Sequence, residues 1–352
     1  PRSIHPKIPV SLGHDSRDET IWITGLETVL IDPDKDEIIS PEFFCHSNLT
    51  LSPQSTTPEA HNQGFETPRH MGWRIFTLVP GRMDIHFPKG FGIPLSSKTD
   101  VDYFTMALNQ NPGLPARSIQ MKTELFTDSK PLKPLFHRAI YVYQSLATDV
   151  PSFDLSVIPD NIHTSLHQGE LCVESCSEDL LGQVESYRQT RDESGSEVWH
   201  PGLACCVENA SPGGIVEQFG QGHTVHWMVP PGHHRYRSEI TEQLKIPHTT
   251  TAHYVTGHLH PMGKSLTLIE MDSGEVVLEI TAKCRADRLG VLEMSEISSV
   301  EGVKIDINKR YELIAEYHNT GSEPIDAMAL LYLYLLDTPP ELHLASSDGQ
   351  GN

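Results

Sequence analysis

Along most of the chain, apolar positions recur at every second residue or in short unbroken runs, the patterns of half-buried and fully buried β-strands. Segments rich in β-branched and aromatic residues fall at Thr20–Leu30, Trp73–Val79, Val101–Leu108, Arg138–Tyr143, Leu266–Met271, Val276–Ala282 and Tyr311–Tyr317. Pro, Gly, Asn and Asp separate them. The 26 prolines and 25 glycines punctuate nearly every interval, which disfavours long helices. Only Glu178–Tyr187 carries a local helical pattern. The apolar run Ala327–Leu336 reads as a strand buried on both faces. It is too short for the ~18–20 residues of a membrane-spanning helix, and no internal repeat has a fixed period.

Strand patterning weakens near Ala147–Phe153, where a Pro-containing connection follows Ile140–Tyr143. Residues 160–222 are acidic, contain cysteines and are only weakly periodic, so they read as a long insertion. Patterning resumes at His223 and continues to Leu336. The expected fold is all-β: two antiparallel β-sandwich, jelly-roll-like domains in series. Their expected extents are 1–150 and 151–337, the second including the insertion, with a polar tail at 338–352. The cleft between them is the default place for a small-molecule or peptide substrate.

Charge narrows the partners. With 26 Lys+Arg against 47 Asp+Glu the formal charge is −21, which argues against a nucleic acid or an anionic membrane surface. Twenty histidines qualify that value, because protonating all of them brings it to −21 + 20 = −1. The six cysteines fit three disulfides. Cys172 and Cys176 stand across a polar stretch from Cys205 and Cys206, which suits two bridges or, less well given the adjacent pair, a zinc site. Asn48-Leu49-Thr50 and Asn209-Ala210-Ser211 are glycosylation sequons. Together these point to a secreted or lumenal protein. No charged-then-apolar leader precedes Pro1; either a leader has been removed or this sequence omits it.

Candidate chemistry concentrates in His253-Tyr254-Val255-Thr256-Gly257-His258-Leu259-His260-Pro261-Met262-Gly263-Lys264. On a strand His258 and His260 point the same way, about 7 Å apart along the backbone, so both imidazoles can close on one metal ion. Surface placement is the plain alternative in a chain so rich in histidine. Met328 by itself reads as core packing. His318, in Tyr317-His318-Asn319, is either a further ligand, a partner of one, or a strand-end histidine. His223, His226, His233 and His234 lie near Pro230-Pro231-Gly232, a loop-like setting that needs no metal. His61, His70 and His86 have no specifying spacing. The acidic run Asp32–Glu37 reads as a solvated turn rather than a calcium loop.

These residues carry a resemblance. The stretch His226–Leu336 resembles the second domain of the copper type II, ascorbate-dependent monooxygenases, the group of peptidylglycine alpha-hydroxylating and dopamine beta-monooxygenases. Matching features are Val229-Pro230-Pro231-Gly232, Ser238–Thr241, His258-x-His260 with Gly263-Lys264, then Gly321-Ser322 and Met328 before its apolar strand. The resemblance implies one copper ion held by His258, His260 and Met328. Residues 40–112 resemble the first domain through Phe87–Gly92 and Asp102–Asn109. There the family's adjacent histidines correspond to Cys45-His46, and its third histidine to Asn109. Of that copper site only His46 remains. Two readings follow: a mononuclear copper enzyme needing ascorbate or another external reductant, or a non-catalytic subunit with a vestigial metal site and an assembly partner. A glycan-active protein on a similar double sandwich is a third, but no carboxylate pair singles itself out.

Overall fold

The computed structural model describes residues 8–11, 19–51, 73–107, 111, 118–145, 210–211, 214–215, 223–225 and 227–337. Within them the protein is all-β, relieved by a helical turn at Thr241–Leu244 and a 3₁₀ turn at Pro41–Phe43. The principal strands of the first half are β1 (Thr20–Asp32), β2 (Phe44–Leu51), β3 (Trp73–Leu78), β4 (Phe91–Ser96), β5 (Asp100–Ala107), β6 (Gln120–Asp128) and β7 (Lys133–Tyr141). Those of the second half are β8 (Gly232–Glu239), β9 (Thr250–Leu259), β10 (Gly263–Glu270), β11 (Val276–Cys284), β12 (Val291–Met294), β13 (Ile297–Ile305), β14 (Tyr311–Asn319) and β15 (Ala329–Leu336).

A four-stranded sheet has the order Ile8–Ser11, β5, β2, β3, and a five-stranded sheet the order β8, β14, β10, β11, β12. Between them runs a nine-stranded sheet in the order β13, β9, β15, β7, β4, β1 and Glu37–Ile38, with Asp84–His86 and β6 also on β1. This sheet belongs to both halves. β7 pairs antiparallel with β15 from Leu135↔Leu336 to Tyr141↔Leu330, and parallel with β4 at Lys133↔Phe91. The expected boundary at 150 lies outside the described residues; the hydrogen-bonded sheet continues from one half into the other.

β15 explains why. All of Ala329-Leu330-Leu331-Tyr332-Leu333-Tyr334-Leu335-Leu336 is buried, and side chains alternate faces along a strand. Ala329, Leu331, Leu333 and Leu335 enter the second-half core with Leu266, Leu268, Leu313 and Tyr317. Tyr334 and Leu336 enter the first-half core with Phe76, Leu78 and Phe87. Leu330 and Tyr332 join Met328, Val79, Ala139 and Tyr141 in a smaller cluster. One strand thus lines apolar clusters on both faces of its sheet.

Polar contacts fasten the halves at the turn between β11 and β12. The enclosed Glu42 carboxylate takes Arg288 Nη2 at 2.6 Å and Arg285 Nε at 3.1 Å. Asn111 Nδ2 donates to Leu289 O at 2.8 Å, and its Oδ1 accepts Leu289 N–H at 3.0 Å. Arg82 Nη2 donates to Met294 O at 2.6 Å and pairs with Glu296 at 3.2 Å; Glu296 also accepts the Tyr254 hydroxyl.

The acidic run forms an exposed turn from β1 to Glu37–Ile38, with Asp36 N–H donating to Asp32 O at 2.8 Å. His233 and His234, expected in a loop, lie on β8. That strand has polar residues on both faces and forms a sheet edge, so its sequence lacks the apolar alternation that marks a strand.

Candidate metal centre

β9 and β15 run antiparallel from Tyr254↔Tyr334 through His258↔Leu330 to Leu259↔Ala329. The pairing reaches one residue further, where His260 N–H points to Met328 O at 3.3 Å. Tyr254, Thr256, His258 and His260 therefore share a face with Met328, Leu330, Tyr332 and Tyr334. On the opposite face Gly257 lies under Leu266: a Cβ there would approach Leu266 Cδ1 to 2.5 Å. Just beyond His260 the chain reverses. Gly263 N–H donates to His260 O at 3.1 Å and Met262 has φ +69°, a tight turn with a left-handed third residue. Pro261 at the second position presets such a turn.

His258, His260 and Met328 are 9 %, 5 % and 5 % exposed. The two imidazole centroids are 5.2 Å apart with planes at 83°. With a metal–nitrogen bond of about 2.0 Å, each centroid stands about 3.2 Å from an ion on its ring axis, so this spacing corresponds to an angle of about 110° at the ion. His260 Nδ1 lies 2.7 Å from Asp326 Oδ2, both groups buried, which fixes the orientation of the ring. The Tyr317 hydroxyl donates to Met328 O at 2.7 Å and accepts His260 N–H at 3.3 Å, tying the segments of His260 and Met328 together. Burial raises this phenol well above its ordinary range, so it stays a donor. Among the described residues no three His, Cys, Asp or Glu side chains form a metal-binding group, so the candidate trio depends on the thioether of Met328.

Asp326 and Tyr317 escaped the sequence reading. The only trace of Asp326 is a carboxylate two residues before Met328, on the same face of an extended segment; Tyr317 gives no local signal, because its partners are 57 and 11 residues away.

The remaining predicted residues lie apart. His318 is on β14 in the five-stranded sheet, its ring stacked on His233 at 3.6 Å and 16°. Desolvation, then His233 and Lys264, lower its pKa. Its N–H donates to Met262 O at 3.0 Å, so it touches the turn after His260 through backbone alone. His46 is half-buried on β2, with Nδ1 3.1 Å from Cys45 Sγ. His253 stacks on Phe91 at 4.0 Å, with Nδ1 near Ser299 O and Nε2 near Thr251 Oγ1 at 3.0 and 2.7 Å. Asn48 is 7 % exposed and its Oδ1 accepts the Thr77 hydroxyl, so the packed strand leaves little room for a glycan there. Asn109, Asn209, Cys172, Cys176, Cys205, Cys206, His61, His70, His226 and the segment Glu178–Tyr187 lie outside the described residues.

No protein-family model matches the chain, and no curated protein matches it. Among solved structures, an oxalate decarboxylase–formate complex from Lactobacillus farciminis is 11% identical, aligning over 95% of this chain and 81% of its own, with a TM-score of 0.12. A vicilin from Solanum melongena is 9% identical over 90% of this chain and 70% of its own, also with a TM-score of 0.12. At those scores neither bears on what the chain does.

Proposed function

We propose that the chain binds one copper ion through His258, His260 and Met328, on a scaffold resembling the second domain of the copper type II monooxygenases. The observation that carries this reading is the buried imidazole pair, one ring anchored by Asp326, facing the segment that bears Met328. Two imidazoles and a thioether suit copper, Cu(I) above all, better than magnesium, calcium or a structural zinc. Bound there, copper supplies a one-electron redox centre with an open coordination position.

The chain's own part is positional. Asp326 accepts a hydrogen bond from His260 Nδ1 and so orients the imidazole. Tyr317 sets the spacing between the His260 and Met328 backbones. Burial keeps water from competing for the ligands. In the first half Cys45 and Asn109 stand where the family has histidines, so we propose no second copper. A catalytic protein of this kind would take its electrons from an external reductant such as ascorbate.

Copper analysis of the purified full chain after stringent chelator washing tests the reading. Wild type is expected to retain about one ion per chain, and the His258→Ala/His260→Ala variant none. Equal retention by both overturns the assignment. Oxygen uptake with ascorbate that yields a stoichiometric hydroxylated product separates an enzyme from a copper-binding subunit.

A further inference from the structure

We infer that His233 and His318 form a second metal site, on the outer face of the five-stranded sheet, that takes a borderline divalent transition ion. This does not rest on the copper reading. The two residues face each other across the β8–β14 ladder, and their rings stack at 3.6 Å and 16°. Alternation along β14 sends Leu313, Ala315 and Tyr317 into the core, leaving Glu316 and His318 on the outer face. On β8 the same alternation puts Tyr236 against the core and His233, Arg235 and Arg237 outside. Among the described residues β8 is the edge of its sheet and His233 is exposed, so an ion can approach from the open side; binding requires the two rings to turn out of their parallel stack so that their nitrogens converge.

The neighbours select the ion. Glu316, next along the outer face, is held by Arg235 at 2.9 Å, and Glu312 by Arg237 at 3.0 Å. The nearby carboxylates are thus committed to guanidinium groups, and exposed Lys264 beside His318 opposes positive charge, which works against ions held by electrostatics alone. What the face offers is imidazole nitrogen, which favours nickel, copper or zinc over calcium or magnesium. Both ligands stand on hydrogen-bonded strands, so little chain is ordered on binding.

Calorimetric titration of the full chain with Ni(II) at neutral pH, paired with the shift it causes in thermal unfolding, decides the matter. His233→Gln and His318→Gln should each weaken the strongest nickel binding by about tenfold or more, equal to about 1.4 kcal/mol, and abolish the stabilising shift. His234→Gln, whose ring points to the other face, and His258→Ala/His260→Ala should leave both intact. Unchanged binding in His233→Gln overturns the proposal, and so does loss confined to the His258/His260 variant. His233 is exposed on an edge, so its variant keeps the test decisive even if His318→Gln folds poorly.

Discussion

His260 and Asp326 meet at 2.7 Å with both side chains buried, and such a contact fixes a ring as well as it pairs charges. Asp326→Asn keeps the volume but removes the charged acceptor, and copper affinity should fall by about 10–100-fold in a chelator competition while far-ultraviolet dichroism stays unchanged. Met328 poses a different question, because a buried methionine packs whether or not it ligates. Met328→Leu should cost less than about 1.5 kcal/mol in urea unfolding, yet lower Cu(I) affinity markedly; equal affinity would make the residue core filling alone. His137 shows what burial does without an acidic partner. It lies enclosed on β7 between Tyr332 and Tyr334, with no hydrogen-bond partner for Nε2 among the described residues. Burial first, then Arg74 and Arg138, hold its pKa well below the ordinary value. The native state therefore binds fewer protons here than the unfolded chain, so stability is full above about pH 6.5 and declines as pH falls below it. His137→Gln should flatten that decline in urea midpoints measured across the range.

Strands were legible where one face is apolar. Thr20–Leu30 corresponds to Thr20–Asp32, Val101–Leu108 to Asp100–Ala107, and Tyr311–Tyr317 to Tyr311–Asn319, each legible from alternation or runs of β-branched and aromatic residues between turn formers. β8 was missed because an edge strand rich in His and Arg buries little, so its backbone pairing with β14, eight residues long, left no apolar trace. The HxH pair was legible for the same reason as the strands: period two places both rings together. Asp326 and Tyr317 were not, because their contacts depend on which strands become neighbours. Gly257 tests how tightly β9 must pack on β10. With a Cβ meeting Leu266 at 2.5 Å, Gly257→Ala should overpack the core by about 1–3 kcal/mol in thermal or urea unfolding. It should also disturb the adjacent His258.

At the scale of the molecule the chain is acidic, with a formal charge of −21, and the interface between halves uses arginine on an enclosed glutamate. Glu42→Gln should loosen that junction and expose the turn between β11 and β12 to protease without altering the proposed copper site, as limited proteolysis beside copper analysis can show. The place of β15 has a consequence for how the protein is made. Synthesis runs from the N-terminus, and many domains condense as they leave the ribosome. Here the first-half core waits for Tyr334 and Leu336, and the second-half core for Leu331, Leu333 and Leu335. Neither can close until nearly the whole described chain has been translated. A nascent chain stalled at Gly321 should be open to protease throughout, and one extended beyond Leu336 should gain protection in both halves at once.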